Sequence, residues 1–140
     1  MIGMKELQIE AKVENLQRVL DHIDEELVRA GCPMTVQIQI DIAVEEMFVN
    51  IASYAYETGT GQAKIGISVS DDDRTATIVL TDQGVPFDPL AKPDPDVTLS
   101  AEERQIGGLG IYMVKKTMDD VRYEYKDGSN ILTIIKTLTE

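Results

Sequence analysis

The order in which two hydrophobic periods follow one another constrains this chain more than any other feature of its sequence. Leu7, Ile9, Ala11 and Val13 alternate with polar residues, the period of a strand. Leu16, Leu20, Ile23 and Leu27 then recur at helical spacing, which predicts an amphipathic helix over about 14–30, closed by Gly31 and Pro33. A second helix is predicted over about 34–56, with Ile40, Val44, Met47, Phe48 and Ile51 in its apolar stripe. Two period-2 runs, 63–69 and 76–80, flank the turn Asp71-Asp72-Asp73 and read as a hairpin. A further helix opens at Gly107-Gly108-Leu109-Gly110 and carries Ile111, Val114 and Met118. Two last strands, near 121–125 and 131–138, meet at Asp127-Gly128. Strands thus come in pairs rather than alternating with helices. A doubly wound parallel sheet is excluded. An α+β fold is expected: two layers, a mixed and mainly antiparallel sheet covered by helices on one face.

Length and charge narrow the function classes. The chain has 140 residues, 43% of them hydrophobic, enough for one core, so a single domain over 1–140 is expected. Asp and Glu number 25 against 13 Lys and Arg, a net charge of −12. Phosphate backbones and anionic bilayers need a basic surface, so direct nucleic-acid or membrane binding is not expected. One nucleotide in a local pocket stays open. The single cysteine, Cys32, and single histidine, His22, give neither a disulfide framework nor a zinc cluster. Cys32 reads as structural and His22 as a surface residue. The start MIGMKELQIEAKVE is neither a signal peptide nor an anchor, and no apolar run reaches membrane-spanning length. Asp71-Asp72-Asp73 lacks the spacing of a calcium loop, and Lys115 and Lys116 read as a solvated helix face.

Three segments suit phosphate and nucleotide chemistry. Glu46 and Asn50 lie four residues apart and share one face of the second helix, at the edge of its apolar stripe. A carboxylate can take a proton from an attacking hydroxyl, and an amide oxygen can join phosphates around Mg²⁺. The same pair equally fits a polar patch at a core boundary. In Thr81-Asp82-Gln83-Gly84-Val85-Pro86-Phe87-Asp88-Pro89, Asp82 ends a strand, where it can accept from an exocyclic amino group. Gly84, lacking a Cβ, permits close approach of a flat ring. A plain turn also explains the glycine and prolines, but not Phe87. In Gly107-Gly108-Leu109-Gly110, glycines expose backbone N–H groups at a helix start, where anions are favoured. No Lys-Ser/Thr follows them, so this is not a Walker A loop, and no strand immediately precedes them, so it is not a dinucleotide fingerprint. Between these segments, residues 83–105 show no period and hold four of the five prolines. Such a stretch is usually functional, often a lid, or else disordered; a lid over about 84–107 is expected.

Taken together, the three segments in this order resemble the Bergerat-fold ATPases of the GHKL superfamily, which includes gyrases, heat-shock chaperones and histidine kinases. They most resemble the small anti-sigma-factor serine/threonine kinases of bacteria. Glu46-x-x-x-Asn50 resembles that family's N-box. Asp82 to Pro89, with its Pro-Phe-Asp-Pro tail, resembles the first glycine box, and Gly107 to Val114 the second. The likeness extends from the first strand to Leu138. It implies ATP and Mg²⁺ as cofactors. Glu46 would be the general base, and Asn50 would hold Mg²⁺ against the phosphates. Asp82 would bind the adenine amino group with Gly84 beneath the ring, and Gly107, Gly108, Leu109 and Gly110 would contact phosphates under the lid. Thr133 would join the adenine network through water, and Arg104 could reach the γ-phosphate. The implied partners are an anti-sigma-factor antagonist, phosphorylated on Ser or Thr, a sequestered sigma factor and a second copy of the chain in a homodimer, all in the cytoplasm. Family members often carry a histidine four residues after the N-box asparagine. Tyr54 stands there in this chain and cannot carry a positive charge to the phosphates. The alternative function is therefore a non-catalytic ATP/ADP-binding switch that controls a partner protein.

Overall fold

The computed structural model describes residues 3–56, 61–91 and 108–139. The elements in order are β1 (Lys5–Glu10), α1 (Leu16–Arg29), α2 (Met34–Tyr54), β2 (Gln62–Val69), β3 (Thr75–Asp82), α3 (Gly108–Thr117), β4 (Asp120–Lys126) and β5 (Ser129–Thr137). Single 3-10 turns occur at Val13–Asn15 and Pro89–Ala91. The strands form one sheet in the order β1-β2-β3-β5-β4. All four pairings are antiparallel, so the described sheet has none of the parallel character a mixed sheet would bring.

Strand alternation decides which residues meet the helices. Ile65 and Ile67 of β2, Ile78 and Leu80 of β3, and Leu132 and Ile134 of β5 are all buried on one face. Val19, Ile23 and Leu27 of α1 and Ile40, Val44, Met47 and Phe48 of α2 close over them. Burying a side chain the size of Phe48 contributes roughly 2–3 kcal/mol. The other sheet face carries Val79, Ile131, Thr133 and Ile135, each only partly buried.

Local chemistry fixes the ends of the elements. At the end of α1, Gly31 adopts φ 72, a left-handed conformation that glycine enters without strain. The Cys32 N–H then donates to the Leu27 carbonyl and the Gly31 N–H to Val28, the Schellman pattern. Arg74, just past the Asp71–Asp73 turn, donates Nη1 to the Ala30 carbonyl at 2.5 Å and so caps the same helix end. His22 binds the Lys5 carbonyl through Nε2 at 3.2 Å, tying α1 to β1. In the last hairpin, Asp127 (φ 53) and Gly128 (φ 79) form the two-residue turn that the sequence predicts.

Three predicted ends shift. Val13 is not in β1, because the chain turns after Glu10 and Lys12 N–H bonds back to the Glu10 carbonyl. Helix α1 starts at Leu16, after the 3-10 turn. Helix α2 stops at Tyr54 because the next residues bond elsewhere. The Ala55 carbonyl accepts from Val85 N–H at 2.7 Å, and the Tyr56 hydroxyl donates to the Gln62 carbonyl at 2.6 Å.

Candidate functional site

The last two turns of α2, the end of β3 and the start of β5 converge on one concavity. Met47, Asn50, Ile51 and Ala55 form one wall, Leu80, Asp82, Asn130 and Leu132 the floor, and Val85, Phe87, Pro89 and Tyr123 the far side. The space as it stands is small, about 30 Å³, and its lining is mostly apolar with a few convergent polar groups.

Asp82 and Asn130 are the two buried polar side chains that form its base, at 5% and 6% exposure. They are cross-strand neighbours on β3 and β5. Asn130 Nδ2 donates to Asp82 Oδ1 at 2.9 Å, and the Gly84 N–H donates to the same oxygen at 2.9 Å. Gly84 has no room for a side chain: a Cβ there would collide with the backbone carbonyl of Ala55.

Asn50 lines the wall above Asp82, and its Nδ2 is buried without a hydrogen-bond partner. A buried amide left unpaired is costly, so this one suits a group that binds there. Among the described residues no three His, Cys, Asp or Glu side chains gather to hold a metal by themselves. The unpaired Nδ2 is a donor and suits an acceptor such as a phosphate oxygen, while the amide oxygen is the atom of Asn50 that could join Mg²⁺, which takes few protein ligands and keeps phosphates and waters.

One turn back on α2, the Glu46 carboxylate packs against Gly110 in the first turn of α3, where a Cβ would overlap it. Burial, and next the charge of Glu45, hold the Glu46 carboxyl above the usual carboxylate range. A raised carboxyl is a better proton acceptor near neutral pH. Tyr54 lies on the same helix face one turn beyond Asn50 and packs its ring on Phe87, centroids 5.6 Å apart at 32°.

The sequence-derived residues are therefore not all together. Asn50 and Asp82 line the cavity, Gly84 bonds to Asp82, and Glu46 and Gly110 meet each other one turn back along α2, outside the lining. Gly108 opens α3 and Leu109 follows it, as expected for a glycine-rich helix start. Gly107, Arg104 and most of the expected lid lie outside the described residues. Thr133 is a correction. It pairs with Val79, and alternation along β5 puts it on the sheet face opposite Asn130 and Leu132, away from the cavity. The polar residue at the cavity floor is Asn130, three positions earlier. The sequence carried a signal for it: an asparagine at an inward position of a strand whose other inward positions are Leu132 and Ile134.

Comparison with known proteins agrees with this geometry. The family model described as "Histidine kinase-like ATPase domain" matches residues 9–136. The chain is 26% identical over 115 residues to the serine/threonine-protein kinase BtrW of Bordetella bronchiseptica, covering 82% of this chain and 78% of that one. It is 30% identical over 95 residues to the serine-protein kinase RsbW of Bacillus cereus, covering 65% of this chain and 58% of the relative. The crystal structure of the RsbU and RsbW domains of a Mycobacterium tuberculosis protein superposes with a TM-score of 0.70 at 15% identity, over 99% of this chain and 33% of that one. That likeness shows the fold. No helix among the described residues is long and apolar enough to cross a membrane. With a family model matched from β1 to β5, the chain belongs to the histidine kinase-like ATPase domain family.

Proposed function

We propose that this chain is a Mg²⁺- and ATP-dependent serine/threonine kinase that phosphorylates an anti-sigma-factor antagonist and, unphosphorylated antagonist being absent, sequesters a sigma factor as a homodimer. The relatives named as serine kinases support the reaction class. The observation that carries the proposal is the alignment of Glu46 and Asn50 on one face of α2. A raised carboxylate sits beside α3, and an unpaired amide faces the cavity that ends at Asp82.

In this reading adenine lies in the apolar cavity with its amino group on Asp82. The phosphates extend toward Asn50 and the start of α3, where backbone N–H groups and the helix dipole favour anions. Bound Mg²⁺ supplies charge neutralisation on the phosphoryl oxygens, and Asn50 is the residue that would hold it. Glu46 accepts the proton of the substrate hydroxyl as its oxygen bonds to the γ-phosphorus. The bond from that phosphorus to the bridging oxygen breaks, and ADP leaves. Net charge −12 suits a partner with a basic surface rather than a nucleic acid.

Tyr54 favours a second reading, a nucleotide-binding switch without transfer. It packs on Phe87 and brings no positive charge to the phosphates. Radiolabelled ATP incubated with the antagonist distinguishes the two. The kinase reading expects phosphoserine or phosphothreonine on the antagonist, lost in Glu46→Gln with ATP affinity retained. Absence of transfer with intact nucleotide binding leaves the switch.

A further inference from the structure

We propose that Asn130 and Tyr123 form a clamp that orients Asp82 and thereby sets the preference of the cavity for a 6-aminopurine; this rests on the adenine reading above. Asn130 Nδ2 donates to Asp82 Oδ1 at 2.9 Å and to the Val85 carbonyl at 2.9 Å. Its Oδ1 accepts from the Phe87 N–H at 3.1 Å and from the Tyr123 hydroxyl. The Phe87 N–H also reaches the Tyr123 oxygen at 3.3 Å.

These partners allow one amide orientation. Turned over, the amide would set its oxygen against the Asp82 carboxylate and the Val85 carbonyl, and its NH₂ against the Phe87 N–H. The contacts with Asp82, Val85 and Phe87 would each become like on like; only the Tyr123 hydroxyl could turn to accept. Tyr123 completes the lock from β4, and burial pushes its phenol up, so it remains a donor.

The clamp has two effects on Asp82. Among the described residues, both donors to its carboxylate, Gly84 N–H and Asn130 Nδ2, fall on Oδ1. That leaves Oδ2 as the acceptor for a base. It also pins the turn from Gly84 to Phe87, so the floor and the far wall move as one unit. A 6-amino group donates to a carboxylate held this way, whereas a 6-oxo group would place an acceptor against it. A site built to bond an N–H rejects the analogue that lacks it more strongly than an apolar site rejects a change of shape.

The test uses the full chain and calorimetric titration with ATP and with ITP, its 6-oxo analogue, in Mg²⁺ buffer. Wild-type protein is expected to favour ATP at least about tenfold. Asn130→Ala is expected to bring the two affinities within about threefold, and Tyr123→Phe to reduce the ratio partway. A merely structural role would weaken both nucleotides together and leave the ratio unchanged, which overturns the clamp. Should Asn130→Ala melt below the assay temperature, Tyr123→Phe decides: an undiminished ratio there overturns the proposal. A wild-type protein without preference would instead overturn the adenine reading itself.

Discussion

The Glu46 carboxylate lies directly on Gly110, so the carboxylate proposed as the base and the first turn of α3 occupy adjoining space with no atom to spare. This contact makes the position of the carboxylate depend on a glycine 64 residues away in sequence, and it explains a glycine inside a helix, where that residue is normally unfavourable.

Gly110→Ala should therefore separate chemistry from stability. The new methyl group meets only the end of a flexible side chain, which can swing aside, and alanine favours helix. Thermal stability should change little, while phosphoryl transfer falls on the order of a hundredfold because the base is displaced. Paired melting curves and transfer rates check this; a variant with undiminished transfer counts against Glu46 as the base.

Gly84→Ala should behave in the opposite way. Its methyl group meets the backbone carbonyl of Ala55, which cannot move without shifting the end of α2. A loss of about 1–3 kcal/mol is expected from overpacking, read as a lower midpoint in urea. An unaltered midpoint would mean that the turn can relax away from α2.

Glu45→Gln should shift a pH profile rather than abolish activity. Burial first, and then the Glu45 charge, raise the Glu46 carboxyl, and the base works only when deprotonated. The ascending limb of kcat/KM against pH should accordingly lie above the ordinary glutamate range in the wild type and move to lower pH in the variant. A limb that stays in place would remove Glu46, or its neighbour's influence, from the rate-controlling ionisation.

Asp41 sets a pH dependence of stability. Burial, a hydrogen bond with Asp24 and the Asp24 charge raise its carboxyl to about 8. Oδ1 of both side chains is buried without a partner, and Cys32 and Arg74 are the other charged or titratable groups of this corner. The folded value lies above the unfolded one of about 3.9, so the folded chain holds the extra proton between them. Stability is then greatest at the acid end of that window and declines as pH rises toward 8. After allowance for solvent, the decline is on the order of 1 kcal/mol. Asp41→Asn, which keeps a donor toward Asp24, should flatten the curve in chemical denaturation between pH 5 and 8; a wild-type curve that rises over this range would contradict the assignment.

The fold was legible because hydrophobic period is a local property. Ile65, Ile67, Ile78 and Leu80 announce their strands and their shared face without reference to anything distant. The ends of α2 and β1 were not, since the Ala55 carbonyl and Tyr56 hydroxyl are claimed by Val85 and Gln62, partners that adjacency does not reveal. In the site, Glu46 and Asn50 follow from helix spacing alone. Choosing Asn130 over Thr133 required the register of β3 against β5, which puts Asn130 opposite Asp82. The Glu46–Gly110 contact likewise exists only after α2 and α3 pack.

The proposed kinase activity depends on the cavity at Asp82 being a nucleotide site. Calorimetric titration of the wild-type chain and of Asp82→Ala with ATP in Mg²⁺ buffer measures that directly. The expected result is one ATP bound per wild-type chain and no measurable binding to a variant that remains folded. Equal affinity in the two proteins, or no binding by the wild type, would contradict it.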